Sequence, residues 1–366
     1  MGPMRVLVVT PWFPSERAPG SGVFNLRDAR LIAEYHDVTV LHLIRPEHAS
    51  DTETDPEDLR VIRVPYSFER PWTILPAARR VRRLLRDFDV VHSMAFPGLL
   101  PVRLARPRVP WLHTEHYSQL VTPPSSPRMA LSLAVLKPLF RRPTRTIAVS
   151  RALAAVIDRY RRSPTRVIGN EVMMPVEPLP PRPDALSDGA AVRLIGVGTL
   201  IERKGPVTAV ETMVELRSRG VDASLTWVGG GPLADQMRAA AERAGAGGSL
   251  RLTGHLDPDA LSRELSTADL FLLPVETETF GVAIAEAFAH GLPVVTTGSG
   301  GHVEFLPAEA SRLVQSRSAL PLADAVQELC SAPDLWSRDR ISAYARDRFS
   351  HEARAEAYRA AYAGLE

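Results

Sequence analysis

Apolar residues fall along this chain in short runs separated by stretches of helical period. Arg5–Val9 carries the first run, and others follow at Val38–Ile44, Val61–Val64, Asp89–His92, Val109–His113, Thr146–Val149 and Arg166–Ile168. Runs this dense in Val, Ile and Leu suit strands buried on both faces of a sheet. Between several of them apolar positions recur at the spacing that gives a helix one dry face. One such helix is predicted from Val23 to about Tyr35. Another lies within Pro76–Phe88, where Ala77, Val81, Leu84, Leu85 and Phe88 share a face and Arg79, Arg80, Arg82, Arg83 and Arg86 occupy much of the rest. The alternation restarts at Val192–Val197 and continues through Ala223–Val228, Leu250–Leu252, Leu270–Leu273, Pro293–Thr296 and Arg312–Val314. Leu335 to Glu366 is helical in pattern, with Tyr344, Phe349, Tyr358 and Tyr362 as apolar anchors. Strands alternating with helices predict an α/β chain with parallel, doubly wound sheets, whose ligands sit beyond the carboxyl ends of the strands.

Between the two series stands Pro175–Pro183, reading PVEPLPPRP. Its five prolines in nine residues cannot continue helix or sheet and make a stiff connector. Two domains are therefore expected, and 366 residues are enough for both. A charged content of 23% and a net charge of +2 fit a soluble globular protein and give no argument for nucleic acid. No apolar run is long enough to span a bilayer. The opening MGPMRVLVVT reads as a start followed by a strand, with neither a secretory signal nor a myristoylation context. The single cysteine, Cys330, forbids an internal disulfide and fits a reducing cytoplasm. The cations are almost all arginine, so the two lysines, Lys137 and Lys204, stand out.

Candidate chemistry concentrates in Pro274–Glu304. Here a buried-looking helix, Val282–Ala289, ends on Gly291 and Pro293 and carries Glu286. That carboxylate needs a partner. It either lies on the helix's wet face beside His290, or accepts hydrogen bonds from vicinal hydroxyls, as acidic residues do on a ribose. Glu278 precedes it, before Phe280-Gly281. Upstream, Gly196–Gly205 brings a strand to Arg203 and Lys204, a pair of cations suited to a diphosphate. In the first half, strand, Gly20/Gly22 loop and helix form a layout that points backbone N–H groups at an anion. His92, His113 and His116 lie at or just past strand ends. The arginine-rich helix within Pro76–Phe88 fits either an outer helix of the sheet or a basic face for an anionic membrane.

Glu278, Phe280-Gly281, Glu286, Gly291-Leu292-Pro293-Val294-Val295, Gly300-Gly301 and Glu304 occur in an order and spacing that resembles the donor site of the GT4 family of retaining glycosyltransferases. The resemblance implies a GT-B fold: two facing Rossmann-like domains with the nucleotide sugar in the cleft between them. On that pattern residues 1–175 form the acceptor domain, 176–183 the linker and 184–349 the donor domain, with a C-terminal helix at about 350–366 crossing back to the first. It further implies donor contacts at Gly22, Gly198, Thr199, Arg203, Lys204, Gly254, His255, Leu256, Glu278, Thr279, Phe280, Gly281, Val282 and Glu286. Glu278 is expected on the sugar hydroxyls, Glu286 on the ribose, and Gly254–Leu256 at the base. Thr114-Glu115-His116 resembles the family's Thr-x-His step, which makes His116 the expected contact near the reacting carbon, with His113 its competitor. His92, His113 and the loop Thr122–Pro127 are acceptor-side candidates. Thr199 stands where the family has an arginine, so Arg203 is the second cation available.

The expected reaction is transfer of a sugar from a nucleotide diphosphate sugar to a hydroxyl acceptor on a cell-surface glycan, a lipid or a small metabolite. No cofactor and no metal are expected, and the place of action is the cytoplasm or the inner face of the membrane. Two other classes fit the same residues. A sugar-nucleotide epimerase would turn over without an acceptor. A non-catalytic partner subunit would have lost the clamp, and Thr199 is the hint for it.

Overall fold

The computed structural model describes residues 2–15, 18, 21–48, 56, 58–122, 124, 126–175, 179 and 191–365. Most of the proline-rich stretch, Gly20, and parts of the 122–127 loop lie outside these residues. The chain divides into two compact units. One runs through Glu171 and takes up the C-terminal segment from His351; the other spans Val172–Ser350.

The first unit is built on seven strands: β1 (Arg5–Thr10), β2 (Asp37–Ile44), β3 (Arg60–Pro65), β4 (Val90–Met94), β5 (Trp111–Glu115), β6 (Arg145–Ala148) and β7 (Arg166–Val167). Their order is β3-β2-β1-β4-β5-β6-β7, and every pairing is parallel. Among the described residues five α-helices lie between these strands, after β1, β3, β4, β5 and β6 respectively: α1 (Val23–Ala33), α2 (Ile74–Leu84), α3 (Leu99–Ala105), α4 (Pro127–Leu136) and α5 (Arg151–Asp158). Parallel strands need such crossovers, and helices on both faces explain why Val6, Leu7, Val8 and Val9 are all fully buried. The strand order reverses between β1 and β4, so the carboxyl ends of these two strands open a crevice.

The second unit repeats the plan with β8 (Val192–Val197), β9 (Ala223–Val228), β10 (Leu250–Gly254), β11 (Leu270–Leu273), β12 (Val294–Thr297) and β13 (Ser311–Val314). They are ordered β10-β9-β8-β11-β12-β13, again all parallel. Its helices are α6 (Pro206–Ser218), α7 (Ala234–Arg243), α8 (Pro258–Thr267), α9 (Val282–Ala289), α10 (Ala319–Ser331) and α11 (Arg338–Phe349). Here the reversal lies between β8 and β11.

The C-terminal pattern is two helices. Ser350 takes an extended conformation after α11, and α12 (His351–Tyr362) begins beyond it. Packing decides the split. Phe349 of α11 meets Phe280 and Phe305, and Ser342 donates to the Ala289 carbonyl at 2.7 Å, all within the second unit. Ala355, Tyr358, Ala361 and Tyr362 of α12 join the core of the first unit with Val6, Val8 and Ile32. Arg145 on β6 donates to the carbonyls of Ala361 and Ala363 at 2.7 and 2.6 Å and so satisfies the open end of α12.

The arginine-rich helix is α2, an outer helix. Ala77 and Val81 are buried, while Arg79, Arg80, Arg82, Arg83 and Arg86 are exposed. The turn before it carries Trp72, which is 72% exposed, and Leu75 and Phe68 are exposed beside it in sequence.

Candidate functional site

In the second unit the loops after β8 and β11, at the reversal of strand order, are tied together. A tight turn, Glu202–Lys204, follows β8, and the Arg203 carbonyl accepts from Glu276 N–H at 2.8 Å. Arg317, unremarked in the sequence, donates to Pro274 O at 3.0 Å and also to Glu202 O, holding both loops. This brings Lys204 onto Glu278: its ammonium donates directly to Glu278 Oε1. The Arg203 guanidinium lies 3.9 Å from the same oxygen and donates to Thr277 O at 2.8 Å. Gly198 lies against the Lys204 stem, 3.4 Å from where a side chain would begin. The expected second cation is therefore beside the first. Thr199 is exposed.

Glu278 is held from the far side by Gly300. Gly301 N–H donates to Glu278 O at 2.7 Å, and Gly300 has φ +115°. A Cβ on Gly300 would stand 2.3 Å from that carbonyl. Gly300→Ala is expected to destabilise the second unit by about 2 kcal/mol, through backbone strain and displacement of Glu278. Urea unfolding checks this, and an unchanged midpoint would contradict it.

Gly281 starts α9 with no side-chain cap. The first N–H groups of that helix therefore have no side-chain cap, a short distance along the chain from Glu278, at the positive end of the helix dipole. His302 packs beneath Gly281, whose Cβ would lie 3.0 Å from the His302 Cβ. Sequence reading passed over this histidine. Its Nε2 lies 2.8 Å from the Thr297 carbonyl, so Nε2 carries the proton and Nδ1, which has no partner among the described residues, keeps a lone pair. Burial holds the ring below its usual range, and it is neutral at pH 7.

Glu286 is buried on α9. The expected alternative partner, His290, is otherwise engaged. Its Nδ1 bonds the Glu286 main-chain carbonyl at 2.7 Å and its Nε2 meets the Ser262 hydroxyl at 2.8 Å. No ring nitrogen is left for the carboxylate. Thr279 and Phe280 are buried and Val282 half-buried. Gly254 closes β10, and the exposed His255 ring lies over Gly230, with Leu256 half-buried after it.

In the first unit the crevice end of the sheet is a buried polar network. Gly22 caps α1 in the left-handed region, where a Cβ would stand 2.1 Å from the Trp12 carbonyl. Asn25 then reaches back to Thr10 and Trp12 at 2.8 and 2.7 Å. Two expectations need correction. His92 and His113 line no acceptor wall; both side chains are fully buried. His92 sits between the Tyr362 hydroxyl and the Thr114 hydroxyl, each at 2.7 Å, and burial pushes it down to about 3. His113 bonds Ser93 at 2.9 Å and Glu115 at 3.1 Å. Cross-strand partners satisfy them as core histidines.

Glu115, read only as the middle of a tripeptide, shapes the turn after β5. Its Oε1 accepts from the N–H groups of Phe96, His116 and Tyr117 at 3.1, 2.9 and 2.9 Å. That turn points His116 inward. Its ring lies 4.5 Å from the Phe24 ring, tilted by 35°, and Nε2 lies 3.4 Å from Asp28 Oδ2 on α1. Separately, a cavity of about 930 Å³ in this unit is lined by Trp12, His42, Tyr66, Phe68, Tyr117 and Leu133, among others.

Comparison with known proteins gives consistent matches. A family model described as Glycosyl transferases group 1 matches residues 183–348, and one described as Glycosyltransferase Family 4 matches residues 23–172. The chain is 28% identical to the GDP-mannose-dependent alpha-(1-6)-phosphatidylinositol monomannoside mannosyltransferase of Mycobacterium tuberculosis, over 93% of this chain and 91% of that one. It is 26% identical to the protein of the same name from Mycolicibacterium smegmatis, over 90% of each. Among solved structures, the lipopolysaccharide outer core galactosyltransferase WaaB aligns with a TM-score of 0.77 at 13% identity, over 98% of this chain and 99% of that one. Sucrose-phosphate synthase from Thermosynechococcus elongatus aligns at 0.75 and 21%, over 99% of each. At such identities these two structures speak for the fold.

Proposed function

Because this chain belongs to the group 1 glycosyltransferases of GT4 type, with their GT-B fold, we propose that it is a retaining enzyme moving mannose from GDP-mannose to a membrane-borne mannoside. The observation that carries the reading is Lys204 on Glu278, with Arg203 beside them and the uncapped start of α9 nearby in the chain. The relatives named above supply the choice of donor and the lipid-linked acceptor.

Breaking the anomeric C–O bond puts negative charge on the diphosphate and positive charge on the sugar ring. Lys204, Arg203 and the first N–H groups of α9 meet the former, which is where electrostatic catalysis acts most strongly. Glu278 takes sugar hydroxyls and orients the ring. Glu286 takes the ribose hydroxyls, and His116 takes a hydroxyl of the transferred sugar. The acceptor oxygen bonds to the anomeric carbon on the face the diphosphate leaves. A departing phosphate oxygen takes its proton, so configuration is kept. These groups supply the charge that a divalent metal would otherwise bring.

The test is a panel of nucleotide sugars with octyl α-mannoside as acceptor, with and without EDTA, read by diphosphate release and mass spectrometry. Mannosylated product from GDP-mannose, unaffected by EDTA, is expected. Turnover equal with and without acceptor would favour an epimerase or hydrolase instead.

We also propose that the enzyme works at the inner face of an anionic membrane. Five arginines on and after α2 each gain about 1 kcal/mol near such a surface, and exposed Trp72 and Leu75 offer an interfacial anchor. Sedimentation with phosphatidylglycerol vesicles should capture the protein at low salt. Trp72→Ser should reduce the bound fraction several-fold, and capture equal on neutral vesicles would refute the idea.

A further inference from the structure

The C-terminal helix reaches the turn that carries His116 through a single carboxylate. Asp28 on α1 is 1% exposed, and its partners are as deeply buried. Arg354 of α12 donates to Oδ1, and the Tyr358 hydroxyl, also of α12, donates to Oδ2 at 2.8 Å. The same Oδ2 faces His116 Nε2 at 3.4 Å, a contact of charge and proximity rather than an aligned hydrogen bond. A carboxylate only accepts, so the tautomer that suits this contact carries its proton on the nitrogen turned toward it. Nδ1 is then the nitrogen with the lone pair. It is buried and has no hydrogen-bond partner among the described residues. A buried acceptor without a donor is uncommon, and a ligand hydroxyl would satisfy it.

We propose that Asp28 is a positioning residue for His116: it fixes the ring as its Nε2–H tautomer and leaves Nδ1 to accept a hydroxyl of the transferred sugar. Arg354 and Tyr358 set the carboxylate in place. The inference rests on His116 meeting the donor sugar. The charged and titratable groups around the ring are Asp28 on α1, Arg354 and Tyr358 on α12, His92 on β4, and His113 and Glu115 on β5.

The test compares Asp28→Asn, His116→Ala and Tyr362→Phe in the full chain, using GDP-mannose and octyl α-mannoside. Tyr362→Phe also loosens α12, by removing its bond to His92, but leaves Asp28 untouched. Asp28→Asn is expected to lower kcat at least about tenfold, the loss of one charged contact, with the KM for GDP-mannose within about twofold. Tyr362→Phe should lower the unfolding temperature and leave kcat unchanged. Nitrogen-15 NMR of the wild-type ring should show the Nε2–H tautomer, and this readout stands even if Asp28→Asn fails to fold. An Nδ1–H tautomer, or Tyr362→Phe and Asp28→Asn slowing the reaction alike, would overturn the inference. An active His116→Ala enzyme removes the sugar contact on which it rests, and a wild type that releases no GDP removes the activity. These failures are distinct from one another.

Discussion

Lys204→Met is expected to lower the rate of transfer by about two to three orders of magnitude, ~3–4 kcal/mol of barrier, with little change in the stability of the second unit. The lysine is one of two in the chain, and its ammonium is the nearest cation to Glu278. Two roles are open to it. It could hold Glu278 in place, or it could meet the charge that develops on the leaving diphosphate. The roles separate in a double-mutant cycle with Glu278→Gln. If pairing were its only task, removing both charges would recover most of the activity lost with either. If it stabilises the leaving group, the double variant is at least as slow as the slower single one. The second outcome is expected, since Arg203 lies 3.9 Å from the Glu278 carboxylate and the Gly301 N–H holds its main-chain carbonyl. Single-turnover release of the nucleoside diphosphate measures it, and full recovery in the double variant would assign Lys204 to structure alone.

The parts of this site that were legible in the sequence are those written locally. The run Leu270–Leu273, the helix Val282–Ala289 and its stop at Gly291, which has φ +69°, were readable because dense apolar runs and a left-handed glycine carry their own signal. Lys204 and Glu278 were legible as members of a pattern, though nothing in the sequence placed one on the other across the two loops. β4 and β5 were read to stop at His92 and His113, because Ser93 and Thr114-Glu115 look like loop residues. Ser93 and Thr114 lie inside strands because each is answered across the sheet, Thr114 by His92 and Ser93 by His113. Polar residues in a core are decided by such non-local partners. Asp28 shows the same limit, since on α1 it reads as a wet position and its partners stand more than 320 residues later. The break at Ser350 was legible only through the family pattern, which set a boundary at about 350, because serine sits without offence in a helical pattern. What divides α11 from α12 is which core each finds.

Replacing Arg354 with Met should therefore act on the first unit alone, and strongly. Methionine keeps most of the apolar stem and removes the charge, leaving Asp28 buried without its cation. Breaking a buried pair in this way is expected to destabilise the unit by about 3–5 kcal/mol. The dependence on pH identifies the cause. Burial by itself would push the Asp28 carboxyl up, but the charge of Arg354, aided by His116, holds it well below the usual carboxylate range. A carboxyl depressed in the fold lends stability that is fully present above its unfolded value of about 3.9 and is lost as pH falls below it. In the variant the lone carboxyl moves the other way: its buried charge costs most at neutral pH, and protonation relieves it. The gap between wild type and Arg354→Met in urea unfolding is thus widest at pH 7 and narrows toward pH 4. Adding Asp28→Asn to the variant should recover part of the loss at pH 7. A gap of equal size at both pH values would place the loss in the Arg354 bond to the Gly169 carbonyl and in packing, rather than in the ion pair.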